Sequence, residues 1–422
     1  MTDRADVHLF GRHAGVLSIV DEMRSPEGWH FAYAADYLAS GTPVSLSVSL
    51  PVRAEPFEGA VVRNWFCNLL PEGAVRDVLE RRLRLPARDD FALLAAIGGE
   101  CAGAVAVGAS DARTSAARRD EPDLETMLAA QGDDAGEGAF AALGTPHRLS
   151  LAGAQDKIAV VREADGRLRL PVGDELSTHI VKPDSLRVRG LRDFEALGLA
   201  LARSIGLDAV AAEPIEIAGR KALLVARYDR VAQANRVARL HQEDFCQALG
   251  YPPELKYEAQ GGPSLAACAT LIRSTLRLGP NALRGFLDWV IYNGVIANAD
   301  AHAKNLALLS GEDARRRLAP FYDVVPTAVI AESLVDREPA LRIGNATNVD
   351  RIAAADWRAF AAAAGYAPRF VLDRVATVAQ SVGTHAAVVA RTLIDQGVDA
   401  ERMRRAVEFL EGNAKRLLRD AS

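Results

Sequence analysis

The chain has 422 residues, which at roughly 100–200 residues per domain allows two or three units with their own cores and excludes a peptide or a wholly disordered protein. Apolar residues make up 49% and charged residues 25%, the balance of a globular protein rather than of a fibre or tail. The formal charge of −5 provides no overall attraction to phosphate backbones or anionic lipid, so any nucleic-acid contact must be local or supplied by a partner. Cys67, Cys101, Cys246 and Cys268 form no C-x-x-C pair, which fits neither a disulfide framework nor a zinc ribbon and suits a reducing cytoplasm. The start Met1-Thr-Asp-Arg-Ala-Asp does not read as a signal peptide. The longest apolar stretch, 287–297, is broken by Asp288 and Asn293 and falls short of the ~18 residues a membrane helix needs. A cytoplasmic location without membrane contact is expected.

In chain order, residues 7–106 read as α+β. Val44, Leu46, Val48 and Leu50 alternate with polar or small residues and predict a strand at 44–50. Helical spacing follows at 61–70 and on to Leu83. Residues 109–146 are polar and glycine-rich and read as a flexible connector holding one short helix near 124–130. Strands are then predicted at 157–161, 179–182, 215–217 and 222–228. Between them Phe194, Leu197, Leu201 and Ile205 form one apolar stripe, a helix with Asp193 as cap and Gly206 as stop. From Gln242 onward helix dominates, at 357–364, 370–382 and 400–418. The expected architecture is therefore α+β and bilobal, a β-rich N-terminal lobe followed by a mainly helical C-terminal lobe, with a ligand cleft between them. The expected divisions are 1–108, 109–146, 147–238 and 239–422.

The segment Asn298-Ala-Asp-Ala-His-Ala-Lys-Asn305 carries the densest chemistry. A helix-like apolar run ends in Asp300, His302, Lys304 and Asn305, and apolar strand residues follow at once, so these polar groups must find partners. A phosphate with a metal would supply them. Asp300 and Asn305 stand five apart, the kinase catalytic-loop spacing in which Asp accepts a hydroxyl proton and Asn holds Mg²⁺. In Phe321-Tyr-Asp323 an aspartate follows a hydrophobic pair, as a second Mg²⁺ ligand requires. The same Asp/Asn pair also suits a plain loop cap, and His302 with Asp300 and Asp323 would suit zinc. Upstream, Ala152, Gly153 and Ala154 would let backbone N–H groups approach phosphate oxygens before Lys157 opens a strand, though the loop also reads as a hairpin turn. Lys182 ends an apolar strand and needs phosphate or a carboxylate, with Glu195 on the next helix as its ionic partner. The strand running from Ala222 to Arg230 would join the lobes where a kinase hinge meets adenine, or is an ordinary strand.

Taken together, Ser150-Leu-Ala-Gly-Ala-Gln-Asp-Lys157, His179-Ile-Val-Lys-Pro183, Ala226-Arg-Tyr-Asp-Arg230, His241-Gln-Glu-Asp-Phe-Cys-Gln247, the Asp300 segment and Phe321-Tyr-Asp323 resemble the HipA family of serine/threonine-protein kinase toxins. Asn68-Leu-Leu-Pro-Glu-Gly73 and the 91–103 stretch look like that family's N-terminal region. The resemblance implies a bilobal protein-kinase-like fold and transfer of the ATP γ-phosphoryl group to a protein serine or threonine. It implies Asp300 as catalytic base, Asn305 and Asp323 as Mg²⁺ ligands, and Lys182 on the phosphates. It further implies Ala152, Gly153, Ala154, Gln155, Asp156 and Lys157 as the phosphate loop and Ala226, Arg227 and Tyr228 as the adenine hinge, with His302, Lys304 and Tyr322 beside the nucleotide. Ser150 matches the family's autophosphorylated serine. Implied partners are a HipB-like helix-turn-helix antitoxin that carries the DNA contact and a protein substrate such as an aminoacyl-tRNA synthetase, whose inactivation arrests growth. The chain departs from the family at Ala226, often acidic there, and at Asp156, commonly Glu. A small-molecule phosphotransferase, a catalytically quiet co-repressor and a metal-dependent hydrolase are the competing readings.

Overall fold

The computed structural model describes residues 3–20, 25–108, 123–130, 155–172, 175–233, 236–275 and 280–421. Strands β1 (Asp3–Leu9), β2 (Arg12–Ile19), β3 (Trp29–Tyr33), β4 (Phe57–Glu58) and β5 (Val105–Val107) form an antiparallel sheet in the order β4-β3-β2-β1-β5. Val7 and Leu9 alternate with more exposed neighbours on β1 and point into a core with Trp29, Phe31, Trp65, Phe66 and Leu94. Helices Ala60–Cys67, Gly73–Leu83 and Asp90–Ile97 supply the rest of this first core.

The strand expected at 44–50 is absent. Val44, Leu46 and Leu50 are buried as the alternation requires, but the backbone there pairs with side chains rather than with a strand. The Leu46 amide donates to the Tyr33 hydroxyl at 2.7 Å, and that hydroxyl donates to the Leu50 carbonyl at 2.6 Å. On the other side the Val48 amide and the Ser47 hydroxyl donate to Glu243. Val44, Leu46 and Leu50 thus enter the first domain's core while Val48 packs against the second, and a period of two appears without a strand because it records which side chains are covered and not what covers them.

A second antiparallel sheet, ordered β7-β6-β8-β10-β9, consists of β6 (Ile158–Arg162), β7 (Leu168–Arg169), β8 (His179–Pro183), β9 (Ala212–Ile217) and β10 (Arg220–Ala226). The predicted short helix is present as Leu124–Ala130. It buries Leu124 and Leu128 against Ile158, Val160, Val181 and Leu224, so this part of the expected connector belongs to the sheet's core. The helix Leu191–Ser204 follows β8. Its cap is left-handed Gly190; Asp193, expected there, lies instead in the first turn, buried and paired with Arg192 and Arg402. Gly198 on this helix lies so close to the chain after the second lobe's Asp323 that an added Cβ would meet the Val324 carbonyl oxygen at 2.2 Å.

A hairpin of β11 (Arg230–Gln233) and β12 (Arg236–Arg239) leads to the small sheet β13 (His241–Asp244), β14 (Ala307–Ser310) and β15 (Arg316–Leu318). The helices Leu265–Ser274, Pro280–Val295, Ala354–Ala363, Pro368–Asp395 and Ala400–Ala421 complete a mainly helical lobe. Among the described residues no helix is long and apolar enough to cross a membrane.

The first domain is joined to the rest by a buried polar seam. His241 Nε2 meets the Leu46 carbonyl at 2.8 Å, Gln247 Nε2 donates to the Trp65 carbonyl at 3.1 Å, and Asn64 Nδ2 donates to the Gly250 carbonyl at 2.8 Å. Next to the end of β10, Glu100 Oε1 accepts from the Ser177 hydroxyl at 2.6 Å and lies 3.4 Å from Arg227 and 3.2 Å from Arg230. These arginines outweigh the effect of burial and hold the Glu100 carboxyl below its ordinary range. Gly103 has φ +77° and no room for a Cβ, which would lie 2.4 Å from the Gln242 amide.

Candidate active site

The loop after helix Pro280–Val295 is built by its own asparagines. Asn298 Nδ2 donates to Asn293 Oδ1 at 2.8 Å, and Asn298 Oδ1 accepts from the Asp300 amide at 3.1 Å. Asn305 Nδ2 donates to the Asp300 carbonyl at 3.0 Å, so the five-residue spacing closes a compact loop around Asp300. Thr327 braces it from below, accepting from the Ala299 amide at 2.7 Å and donating to the Ala297 carbonyl at 3.1 Å. The Asp300 side chain remains exposed, while His302 and Asn305 are buried. Burial pushes the His302 imidazole below its ordinary pKa, and its Nδ1 has no partner among the described residues.

Across the cleft, Lys182 donates to Glu195 Oε1 at 2.7 Å and to Asp323 Oδ1 at 3.0 Å. One ammonium group therefore ties β8, the Leu191–Ser204 helix and the Phe321-Tyr-Asp323 turn together. Burial works against the Lys182 charge, but Asp323 and Glu195 overcome it and raise its pKa. Asp323 is likewise held well below the carboxylate range, where Lys182 and Lys157 prevail over burial. Its backbone is left-handed at φ +55°, a conformation that costs a non-glycine residue about 1–3 kcal/mol and collects at functional sites. The side chain keeps 39% of its surface open to the cleft. Lys157 is driven down to about 8, first by desolvation and then by the neighbouring Lys182 charge. His302 and Tyr257 each feel the charges of both Asp300 and Asp323.

Residues 149–386 match the HipA-like C-terminal domain and residues 5–108 match the HipA N-terminal domain. The chain belongs to the HipA family. A Sinorhizobium fredii relative named "Putative kinase Y4mE" is 38% identical over 395 residues, covering 91% of this chain and 92% of its own. The serine/threonine-protein kinase toxin HipA of Shewanella oneidensis is 26% identical over 370 residues, 83% of this chain and 81% of that one. A chain in the solved complex of Shewanella oneidensis HipA, HipB and operator DNA superimposes with a TM-score of 0.82 at 25% identity, covering 99% of this chain and 98% of the other. The α+β, kinase-like architecture expected of the sequence is the one observed.

Two residues expected beside the nucleotide are occupied elsewhere. The Lys304 ammonium donates to the Asn68 carbonyl at 3.1 Å, to Asn68 Oδ1 at 2.6 Å and to Asp244 at 3.0 Å. An ammonium has three protons, so none is left for a phosphate; Lys304 holds the first domain against the Asp300 loop. Arg227 has its guanidinium inside the seam, bonded to Asp229, Ser177, Glu100 and the Cys101 carbonyl. Its amide donates to the Thr178 carbonyl and the Ala226 amide to the Ala211 carbonyl, so neither amide is free for adenine. Tyr228 does face the site's aromatic wall, stacked on Tyr322 with centroids 5.3 Å apart and planes 28° from parallel. The Tyr322 hydroxyl donates to the Lys304 carbonyl. Ser150, Ala152, Gly153 and Ala154 lie outside the described residues; Gln155, Asp156 and Lys157 lead into β6.

Three residues of the site were not singled out from the sequence. The Tyr257 hydroxyl donates to Asp300 Oδ1 at 2.8 Å, Lys256 lies over the Tyr257 ring, and Lys256 Nζ is 2.8 Å from Glu72 Oε2 of the first domain. The available signal was Asn68-Leu-Leu-Pro-Glu-Gly73, a motif at a domain edge with no core role for its glutamate. Among the described residues no three His, Cys, Asp or Glu side chains converge. The residues expected to hold a metal, Asn305 with an amide oxygen and Asp323 with a partly exposed carboxylate, would offer hard ligands in a number that suits Mg²⁺ completed by phosphates rather than zinc.

Proposed function

We propose that this chain is an ATP-dependent serine/threonine protein kinase of the toxin type, with Asp300 as the catalytic base. The observation that carries this reading is the Lys182–Glu195–Asp323 cluster together with the self-bonded Asp300–Asn305 loop, in one chain with kinase-type spacing. Lys182, already positioned by Glu195, would transfer its second hydrogen bond from Asp323 to an ATP phosphate, leaving Asp323 to join the Asn305 amide oxygen as a Mg²⁺ ligand. Mg²⁺ held by Asn305 and Asp323 would supply charge neutralisation on the phosphate oxygens during transfer. Gln155, Asp156 and Lys157 line the phosphate side with the loop before them, His302 closes the floor, and adenine lies at the hinge by Tyr228 and Tyr322. Asp300 orients the substrate hydroxyl and takes its proton.

The HipA, HipB and operator DNA complex supports a helix-turn-helix antitoxin as partner, with DNA reached mainly through that antitoxin. A cytoplasmic translation component such as an aminoacyl-tRNA synthetase is the proposed substrate. Phosphorylation of Ser150 would add about −1.5 to −2 charges beside the ATP phosphates and switch the enzyme off by repulsion. Labelled ATP added to cell extract tests the reading. Wild type should label a protein band, and Asp300→Asn should bind ATP yet transfer phosphate about 10²–10⁴-fold more slowly. Undiminished transfer by Asp300→Asn would refute the role of the base. Mass spectrometry should find phosphate on Ser150 in wild type and none in Asp300→Asn.

A further inference from the structure

The geometry points to Tyr257 as the positioning residue for the Asp300 carboxylate, anchored through Lys256 to Glu72 of the first domain. This inference rests on Asp300 being the base. Asp300 is exposed at the tip of its loop, and an exposed carboxylate is free to rotate unless something holds one oxygen. Tyr257 does so, donating to Oδ1 at 2.8 Å, which leaves Oδ2 for an incoming hydroxyl. On proton transfer the substrate proton passes to Oδ2 while Tyr257 keeps its own.

Tyr257 can serve this purpose because it is itself immobilised. Its carbonyl accepts from the Gln260 and Gly262 amides at 3.1 and 3.0 Å. The next residue is pinned by the Glu258 amide donating to the Ala340 carbonyl at 2.8 Å, and the Ala340 amide returns to the Ala299 carbonyl at 2.8 Å, beside Asp300. The ring is flanked by the edge-on His302 ring, centroids 5.5 Å apart at 85°, and by the Lys256 ammonium 5.6 Å from its centroid. Lys256 keeps that place through its 2.8 Å ion pair with Glu72, where the side chains are only 14% and 23% exposed. Glu72 follows Pro71 in the first domain, at the turn that also supplies Asn68 to Lys304. The first domain thus forms part of the catalytic centre, and docking it sets the orientation of the base.

Steady-state kinetics of the full-length chain test this. Tyr257→Phe should lower kcat by about 10- to 100-fold, since small misplacements of a reacting group cost this much, and leave the KM for ATP within about twofold. Lys256→Met and Glu72→Gln should each lower kcat by a smaller factor in the wild-type background and by nothing further in Tyr257→Phe, because they act through that ring. Thermal unfolding midpoints identify any variant that merely fails to fold, and Tyr257→Trp, which retains a ring and a donor, replaces Tyr257→Phe in that case. Inactive Asp300→Asn alongside unimpaired Tyr257→Phe, or losses that multiply in the double variants, would overturn the positioning role alone. Full activity in Asp300→Asn would overturn Asp300 as the base and this inference with it.

Discussion

Lys157 shows how a single residue could prepare the proposed phosphate site. In the free protein two ammonium groups share a partly desolvated space, and Lys157 gives way, its pKa falling to about 8, while Lys182 keeps its proton through Glu195 and Asp323. A phosphate bound beside Lys157 would add to the negative charge that Asp323, Glu195 and Glu72 already supply and raise its pKa again. ATP binding at pH 9 should therefore take up to one proton from the buffer, at pH 7 almost none, and affinity should fall as pH rises above 8. Calorimetry in buffers of different ionisation enthalpy measures the uptake, and Lys157→Met should abolish it. Equal, near-zero uptake at both pH values would show that Lys157 does not meet the phosphates.

At the scale of elements, the helix Leu191–Ser204 is placed by a missing side chain. Gly198 lets the helix that carries Glu195 lie against the turn that carries Asp323, and the Tyr292 hydroxyl donates to its carbonyl at 2.6 Å. Gly198→Ala forces Cβ to within 2.2 Å of a backbone oxygen, where no rotamer change relieves the clash. The expected loss is about 1–3 kcal/mol of stability, as for other overpacked cores, together with weaker ATP binding as Glu195 moves away from Lys182. Gly383 in the Pro368–Asp395 helix is the contrast: an added Cβ meets the Ala414 Cβ at an ordinary 3.5 Å. Gly383→Ala should be neutral or stabilising by up to about 1 kcal/mol. Parallel urea titrations with ATP affinities decide both, and similar effects at the two glycines would argue against the close approach as the cause.

For the whole molecule, the seam between domains carries a pH dependence. Burial raises the Glu243 pKa to about 7, only partly opposed by the Ser47 hydroxyl and Arg316, against an ordinary value of 4.5. Between those values the folded chain keeps a proton that the unfolded chain has lost, so this contribution is complete below pH 4.5 and lost as pH rises through 7. The loss is on the order of 3 kcal/mol. His241 works the other way: burial lowers it from 6.5 to about 4, so its contribution is complete above pH 6.5 and lost as pH falls towards 4. Glu243→Gln removes the first effect and leaves the second. The stability difference between variant and wild type should shift in the variant's favour from pH 5 to pH 8 and then level off; a difference independent of pH would disprove the account.

What could be read from the sequence is local. Asp300 and Asn305 are close enough along the chain for one loop to close through a side-chain-to-carbonyl bond, and Lys182 and Glu195 are joined by a single strand-to-helix connection. The apolar stripe of Phe194, Leu197 and Leu201 follows from helical periodicity in the same way. The tertiary structure decided everything that depends on distant partners. The segment 44–50 proved to be a loop along the domain seam rather than a strand, because alternation reports that side chains are covered without saying by what. Lys304 and Arg227, charged residues within motifs, were claimed by Asn68, Asp244 and Glu100 from far along the chain. Tyr257 reaches Asp300 across 43 residues, and Glu72 reaches Lys256 from another domain. Hydrogen bonds of this kind leave no periodic trace in the sequence, since their partners come together only after both cores have formed.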